Sequence, residues 1–122
     1  MRVIVATVFR IPHAGGASSH IELLVSMLRR EWIIRGLICG NDLAPTLLAK
    51  LRYIVKRLKD ADDARRWALE GSIDRMARLM AKAVAASDDK DLLFHCHDPL
   101  ATYAALLSGI QGAAIIQTVH GP

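Results

Sequence analysis

The chain is poor in aromatic residues and in cysteines, and each shortage excludes a class of protein. Its 122 residues include only two each of Trp, Tyr and Phe, and no segment interleaves aromatic with basic residues as proteins that bind single-stranded nucleic acids do. The net charge of +4 does not by itself indicate a nucleic-acid partner, and we expect none. Cys39 and Cys96 both fall in apolar, strand-like segments, which indicates reduced core residues rather than a disulfide framework.

The sequence also lacks any apolar run of the roughly 18 residues that a membrane-spanning helix requires. Its first nine residues could imitate a short signal peptide, but Arg10 and Pro12 follow, and no small-residue cleavage site is present. Hydrophobic residues make up 52% of the chain and charged residues 23%, a composition typical of one small globular domain or a piece of a larger one. We therefore expect a cytoplasmic protein.

Apolar runs alternate with helical patterns along the whole chain. Four runs are expected as strands: 3–9, 33–39, 91–97 and 113–119. Four segments have helical periodicity: about 20–31, 44–59, 64–86 and 99–108. Ser19 and Glu22 predict a capping box at the first helix, and Asp98 predicts an N-cap at the last. This order predicts an α/β fold, a Rossmann-like parallel sheet of about four strands with helices on both faces.

Polar residues follow three of the four expected strands. Residues 13–20 follow the first strand, His97 and Asp98 follow the third, and His120 follows the last. Ligands of parallel α/β sheets bind outside the carboxyl ends of the strands. We therefore expect these residues to converge at one edge of the sheet.

The glycine pair Gly15-Gly16 separates the first strand from the first helix. Glycine lets a ligand approach the backbone closely, and the N-terminus of the helix favours an anion, so this junction is a candidate site for a phosphate or a sugar diphosphate. The segment lacks the Lys-Ser/Thr of a P-loop and the glycine spacing of a dinucleotide site. A plain tight turn is the alternative interpretation.

Other catalytic classes find little support in the sequence. His95 and His97 share one face of a strand and could seed a metal site with His120, but further ligands at the spacing that zinc requires are not evident. We therefore interpret His95 as a packed core residue and expect no metal and no cofactor. No G-x-S-x-G elbow is present, so a hydrolase is unsupported.

The second expected helix, about 44–59, is amphipathic and basic. Its apolar stripe consists of Leu47, Leu48, Leu51, Ile54, Val55 and Leu58, and its basic residues are Lys50, Arg52, Lys56, Arg57 and Lys59. A buried stripe with a solvated basic face is the default interpretation of this pattern. Peripheral contact with an anionic membrane surface is the alternative, and it leaves membrane association open.

Three segments together resemble the N-terminal domain of family 4 glycosyltransferases of GT-B fold. RVIVATVFRIPHAGGASSHIELLVSMLRR looks like the opening strand, glycine-rich loop and first helix of that domain. DLLFHCHDPLATYAALLSG looks like its strand, His-x-His-Asp and helix, and AAIIQTVHGP looks like the strand that ends in His-Gly. The resemblance implies retaining transfer of a sugar from a nucleotide-sugar donor to a sugar or lipid-linked acceptor, usually without a metal.

The same resemblance implies roles for residues on the donor and acceptor sides. His120 would be the catalytic histidine, close to the donor sugar. Gly15 and Gly16 would approach the donor diphosphate or the acceptor through their backbone N–H groups.

On the acceptor side, the resemblance assigns His97 and Asp98 to the lining of the site, and Arg10 and His13 to contacts from the preceding loop. The middle of the chain departs from the family pattern, and the 122 residues do not include the second, nucleotide-binding domain of such enzymes. We therefore expect residues 1–122 to be a single truncated N-terminal domain that is inactive alone.

Two expectations about partners complete this interpretation. A truncated sheet would leave an unpaired edge and an uncovered apolar face, which predicts a homo-oligomer. The alternative to a glycosyltransferase domain is a stand-alone Rossmann-like module that binds a phosphorylated ligand or a partner protein without catalysis.

Overall fold

A parallel β-sheet organises the computed structural model, which describes residues 2–11, 16–31, 33–86, 91–108 and 113–119. Strands and helices alternate along these residues. In chain order they are β1 (Arg2–Ala6), α1 (Gly16–Arg30), β2 (Ile34–Ile38), a 3-10 helix (Gly40–Leu43), α2 (Leu47–Lys59), α3 (Ala61–Ala85), β3 (Leu92–Cys96), α4 (Pro99–Leu107) and β4 (Ala113–Gln117).

The four strands are hydrogen-bonded in the order β2-β1-β3-β4, and every neighbouring pair is parallel. Ala6 at the end of β1 pairs with Ile38 of β2 and with Cys96 of β3, and Cys96 pairs with Gln117 of β4. The strands therefore end side by side. The predicted fold class is confirmed: the chain is an α/β protein with a Rossmann-like parallel sheet.

Helices cover both faces of the sheet, which is why β1 and β3 are so apolar. On one face, Val3 and Val5 pack against Ile21 and Val25 of α1. On the other face, Ile4 and Ala6 belong to a larger core with α3 and α4. That core includes Ile73, Met76, Met80, Phe94, Cys96, Ala101, Ala104 and Ala105.

Helix α2 stands apart from both cores. It packs against α3 on the side away from the sheet, and none of its residues is buried. Thr46 caps its N-terminus by accepting a hydrogen bond from the Ala49 N–H. The sheet, α3 and α2 thus form successive layers, with α2 outermost.

Three predicted helix starts are wrong. Helix α2 begins at Leu47 rather than at about residue 44, because Thr46 is its N-cap. Helix α1 begins at Gly16, so Ser19 lies inside the helix and forms no capping box with Glu22; no proline interrupts residues 16–19, and the helix continues through them. Helix α3 begins at Ala61 because Asp60 accepts hydrogen bonds from the Asp62 and Asp63 N–H groups. Asp60 is therefore the N-cap of this helix, and Asp62 and Asp63 lie in its first turn, where the helix dipole favours acidic side chains.

Candidate functional site

The carboxyl ends of three strands meet at a topological switch point. After β1 the chain forms β2 on one side of it, and later forms β3 on the other side. Hydrogen bonds extend this alignment beyond the strands: the Thr7 N–H donates to the Ile38 carbonyl at 3.0 Å, and the His97 N–H donates to the Ala6 carbonyl at 2.9 Å. A crevice at such a point is where open α/β sheets bind ligands.

Asp98 joins the ends of β1 and β3. Its Oδ2 accepts hydrogen bonds from the Thr7 hydroxyl at 2.8 Å and from the Val8 N–H at 2.9 Å. Its Oδ1 accepts from the Ala101 N–H at 2.8 Å and so caps α4. Because Val8 donates to this carboxylate instead of to a strand, β1 ends at Ala6 rather than at residue 9. Asp98 is buried, and its carboxylate organises the backbone of this edge.

The loop after β1 is also held from the side of β2. The Asn41 side chain accepts from the Ile11 N–H at 2.9 Å and donates to the Ile11 carbonyl at 3.2 Å. The Gly40 N–H donates to the Phe9 carbonyl at 2.7 Å. A Cβ at Gly40 would lie 2.5 Å from the Val8 carbonyl oxygen, so only glycine permits this approach. The segment from Val8 to Ile11 is therefore fixed at both flanks.

A cavity of about 370 Å³ opens between this loop and the helices α2 and α3. Its wall combines residues that follow β1 and β2 with residues of both helices. They are Val8, Arg10, Gly40, Leu43, Ala44, Pro45, Ala49, Lys50, Tyr53, Trp67, Ala68, Gly71, Ser72 and Arg75. The cavity lies on the face of the sheet that α3 covers, since Val8 packs against that core.

The charge of the cavity wall is of one sign. Arg10, Lys50 and Arg75 contribute three cations, and the described residues of the wall include no carboxylate. The Arg75 guanidinium is held in place because Nε donates to the Leu43 carbonyl at 2.9 Å and Nη2 donates to the Ser72 hydroxyl at 3.3 Å. Tyr53 and Trp67 add aromatic surface. This combination suits an anionic ligand with a ring or apolar part.

Three histidines cluster on the opposite face of the sheet. The ring centroids of His95 and His97 are 4.3 Å apart, and those of His20 and His97 are 5.8 Å apart. His95 Nε2 lies 2.5 Å from the Thr118 hydroxyl, and the His95 side chain is half-buried. In the part of the chain that the structure describes, no group of His, Cys, Asp or Glu is arranged to hold a metal ion.

The sheet divides the residues that were predicted to contact the acceptor. Arg10 lines the cavity on the α3 face, His97 is buried near His20 on the α1 face, and Asp98 connects the strand ends between them. Gly16 is the first residue of α1, the helix that carries His20 one turn later. The remaining predicted positions, His13, Gly15 and His120, lie outside the described residues.

Neither cysteine is a nucleophile at neutral pH. Both are buried and form no disulfide, as the sequence indicated. Burial is the main cause that raises the pKa of the Cys96 thiol to about 11, and burial also raises the pKa of Cys39 above its usual value. Both thiols are therefore protonated at neutral pH and serve as core side chains.

Sequence reasoning missed most of the cavity wall. Lys50 was assigned to a basic helix face that is solvated or contacts an anionic membrane, and Tyr53, Trp67 and Arg75 were not singled out. A signal was present in α3, where the small residues Ala64, Ala68 and Gly71 recur at helical spacing. That spacing marks a face where a second helix can approach closely.

The parallel sheet and its switch point define a Rossmann-like α/β fold, and a cavity with three cations in its wall lies beside the switch point. Comparisons with protein-family models, with curated proteins and with solved structures find no match to this chain. Among the described helices, none combines the length and the apolar character needed to cross a membrane.

Proposed function

We propose that this chain is the acceptor-side N-terminal domain of a retaining glycosyltransferase of GT-B fold, and that its cavity binds a phosphorylated or otherwise anionic acceptor. The cavity is the observation that carries this proposal. It opens at the carboxyl edge of the sheet beside β1, and its wall contains Arg10, Lys50 and Arg75 with no carboxylate among the described residues. An acceptor phosphate would pair with these cations.

The aromatic part of the wall suits the remainder of such an acceptor. Tyr53 and Trp67 line the same cavity, and aromatic faces pack against the apolar faces of sugar rings and against lipid chains. The volume of about 370 Å³ lies at the small end of the range for small-molecule sites. One phosphorylated sugar or one lipid headgroup is an occupant of that size.

The donor side of the proposed reaction depends on residues near the start of α1. Gly16 begins this helix, and a nucleotide-sugar diphosphate at its N-terminus would meet the N–H groups of the first turn and the positive end of the dipole. The roles proposed for Gly15 at the diphosphate, for His13 at the acceptor and for His120 as the catalytic histidine rest on the family resemblance. The family resemblance implies a transfer that usually proceeds without a metal.

A binding module without chemistry is the second candidate, and Asp98 favours it. The Asp98 carboxylate accepts three hydrogen bonds and is buried, so it holds the backbone of this edge together rather than presenting its oxygens to a substrate. Under this alternative the same cavity would bind a phosphorylated small molecule, and no bond would be made or broken.

Calorimetric titration of the chain tests whether the cavity binds anions. The ligands are glucose 1-phosphate, inositol 1-phosphate and unphosphorylated glucose. We expect the phosphorylated ligands alone to bind, and the double variant Arg10→Ala/Lys50→Ala to weaken binding at least about tenfold because two charge-assisted contacts are lost. Lys59→Ala, which removes a cation of α2 outside the cavity wall, is the matched control. Equal binding by the double variant contradicts the assignment of the cavity.

A transfer assay separates the two candidates. The protein encoded by the complete natural reading frame is incubated with radiolabelled nucleotide-sugars and with a mixture of phosphorylated sugars and lipid extract. We expect labelled product in which the anomeric configuration of the donor is retained. Ligand binding without any transfer of label would contradict the proposal of a glycosyltransferase and would support the proposal of a binding module.

A further inference from the structure

Helix α2 exposes the side chains that its sequence pattern would bury. Its apolar stripe consists of Leu47, Leu48, Leu51, Ile54, Val55 and Leu58, and each of these side chains is between 52% and 84% exposed. No other helix of the described residues has an entire apolar stripe open to solvent. An exposed apolar patch of this extent marks an interaction surface.

The opposite side of α2 attaches it to the body of the molecule. Ala49, Tyr53 and Lys56 are the half-buried residues of α2, and the Lys56 ammonium lies 5.5 Å from the centroid of the Trp67 ring on α3. A helix turns by about 100° per residue, which places these three positions opposite the centre of the apolar stripe. The stripe therefore points away from α3 and from the sheet.

Cations border the apolar stripe on both sides. By the same helical geometry, Lys50 and Arg57 lie along one border, and Arg52 and Lys59 lie along the other. No acidic residue occurs between Leu47 and Lys59. An apolar stripe between two basic borders is the arrangement of helices that lie in the plane of a membrane interface.

We propose that α2 docks this protein onto an anionic lipid membrane, with the apolar stripe inserted among the acyl chains and the bordering cations outside the cavity wall, Arg52, Arg57 and Lys59, among the lipid phosphates. The helix has 13 residues, which is too short to span a bilayer, so it lies parallel to the surface. Charge complementarity selects this occupant. A second copy of the chain would bring two all-basic borders together, whereas anionic headgroups pair with both borders.

Vesicle co-sedimentation tests the proposal with two double variants. Leu51→Asp/Leu58→Asp places charge on the stripe, and Arg52→Glu/Arg57→Glu reverses one cation on each border. We expect the wild-type chain to sediment with phosphatidylglycerol-containing vesicles and to bind phosphatidylcholine vesicles weakly. Each variant should lower the partition coefficient for anionic vesicles at least about tenfold. All four side chains are exposed, so circular dichroism should show an unchanged fold.

Matched controls place the same changes elsewhere on the molecule. Arg29→Glu/Arg30→Glu reverses two exposed cations at the end of α1, on the opposite face of the sheet. Leu106→Asp charges an exposed leucine of α4. We expect both variants to bind vesicles as the wild type does within about twofold, apart from a general effect of net charge. Equal losses in controls and α2 variants would show nonspecific charge attraction and would overturn the proposal.

Two further measurements test the docking proposal: the depth to which α2 enters the lipid, and the self-association of the protein in solution. A tryptophan introduced as Leu51→Trp should shift its fluorescence to the blue and be quenched by brominated lipid, because this position enters the acyl region. Absence of vesicle binding by the wild type would overturn the proposal. So would light scattering that shows a dimer which Leu51→Asp/Leu58→Asp dissociates, since the stripe would then be covered by a second copy. These outcomes do not depend on the ligand of the cavity.

Discussion

Asp98 shows how one side chain can fix the edge of a parallel sheet. Its carboxylate accepts hydrogen bonds from residues that follow β1 and from the first turn of α4. These segments are far apart in the sequence and meet only in the folded chain. The sequence correctly predicted the helix cap, because Asp followed by Pro is a local signal. The contact with Thr7 has no local signal, since it depends on the pairing of β1 with β3.

Replacement of Asp98 by Asn should destabilise the fold by about 2 kcal/mol. The substitution puts an amide where Oδ2 accepts from both Thr7 and Val8, so one of these buried donors loses its acceptor. Urea unfolding measures the change. Asp60→Asn is the control, because Asp60 is an exposed cap and Asn caps helices as well as Asp does; its cost should stay below about 0.5 kcal/mol. Equal costs at the two sites would contradict the role of Asp98.

At the scale of secondary-structure elements, close approach between the β1 loop and the 3-10 helix shapes one wall of the cavity. Gly40→Ala should destabilise the fold by about 1–3 kcal/mol, because the added Cβ would meet the Val8 carbonyl oxygen at 2.5 Å and the Arg10 nitrogen at 2.8 Å. Thermal unfolding followed by circular dichroism measures the loss. The displacement of Arg10 should also weaken anion binding in the calorimetric titration.

The control for Gly40 is a second glycine two residues before the end of β2. A Cβ at Gly36 would have no neighbour within 4 Å. Gly36→Ala should therefore be neutral or stabilise the fold by up to about 1 kcal/mol, since alanine reduces the entropy of the unfolded chain. A loss at Gly36 as large as the loss at Gly40 would refute the explanation by close contact.

The secondary-structure elements differ in how well the sequence alone predicted them. The central strands β1 and β3 were predicted because burial on both faces requires continuous apolar runs. The orientation of α2 was not predicted, because periodicity finds an apolar stripe but does not reveal which side of the helix a neighbouring helix contacts. The default expectation of a buried stripe was wrong. The cavity was missed for a related reason. Its wall combines segments after β1 and β2 with two helices, and no single segment carries its pattern.

At the scale of the whole molecule, the buried thiol of Cys96 makes stability depend on alkaline pH. Its pKa rises from 9.0 to about 11 on folding, chiefly because of burial. The unfolded chain therefore releases this proton at lower pH than the folded chain does. The free energy of unfolding should be unaffected by this group below pH 9.0 and should fall as the pH rises through about 11.

Urea unfolding across this alkaline range checks the prediction. Tyrosine and lysine titrate in the same range, so the comparison is with Cys96→Ala, which removes the thiol. The free energy of unfolding of the variant should be lower at neutral pH, because the substitution leaves a small cavity in the core. It should also fall less than that of the wild type as the pH rises. An identical pH slope in the two proteins would show that Cys96 does not contribute. The predicted homo-oligomer stays a prediction that light scattering measures.

The strand order also has a consequence for how this chain folds during its synthesis on the ribosome. β1 is synthesised well before β3, with which it pairs. A nascent chain can assemble β1, α1 and β2 early, but the opposite side of β1 waits for α3, β3 and α4. Long-range parallel pairing of this kind is slow and leaves apolar surface exposed meanwhile. Until α3, β3 and α4 have emerged, that side of β1 lacks its covering, and a chaperone can bind there.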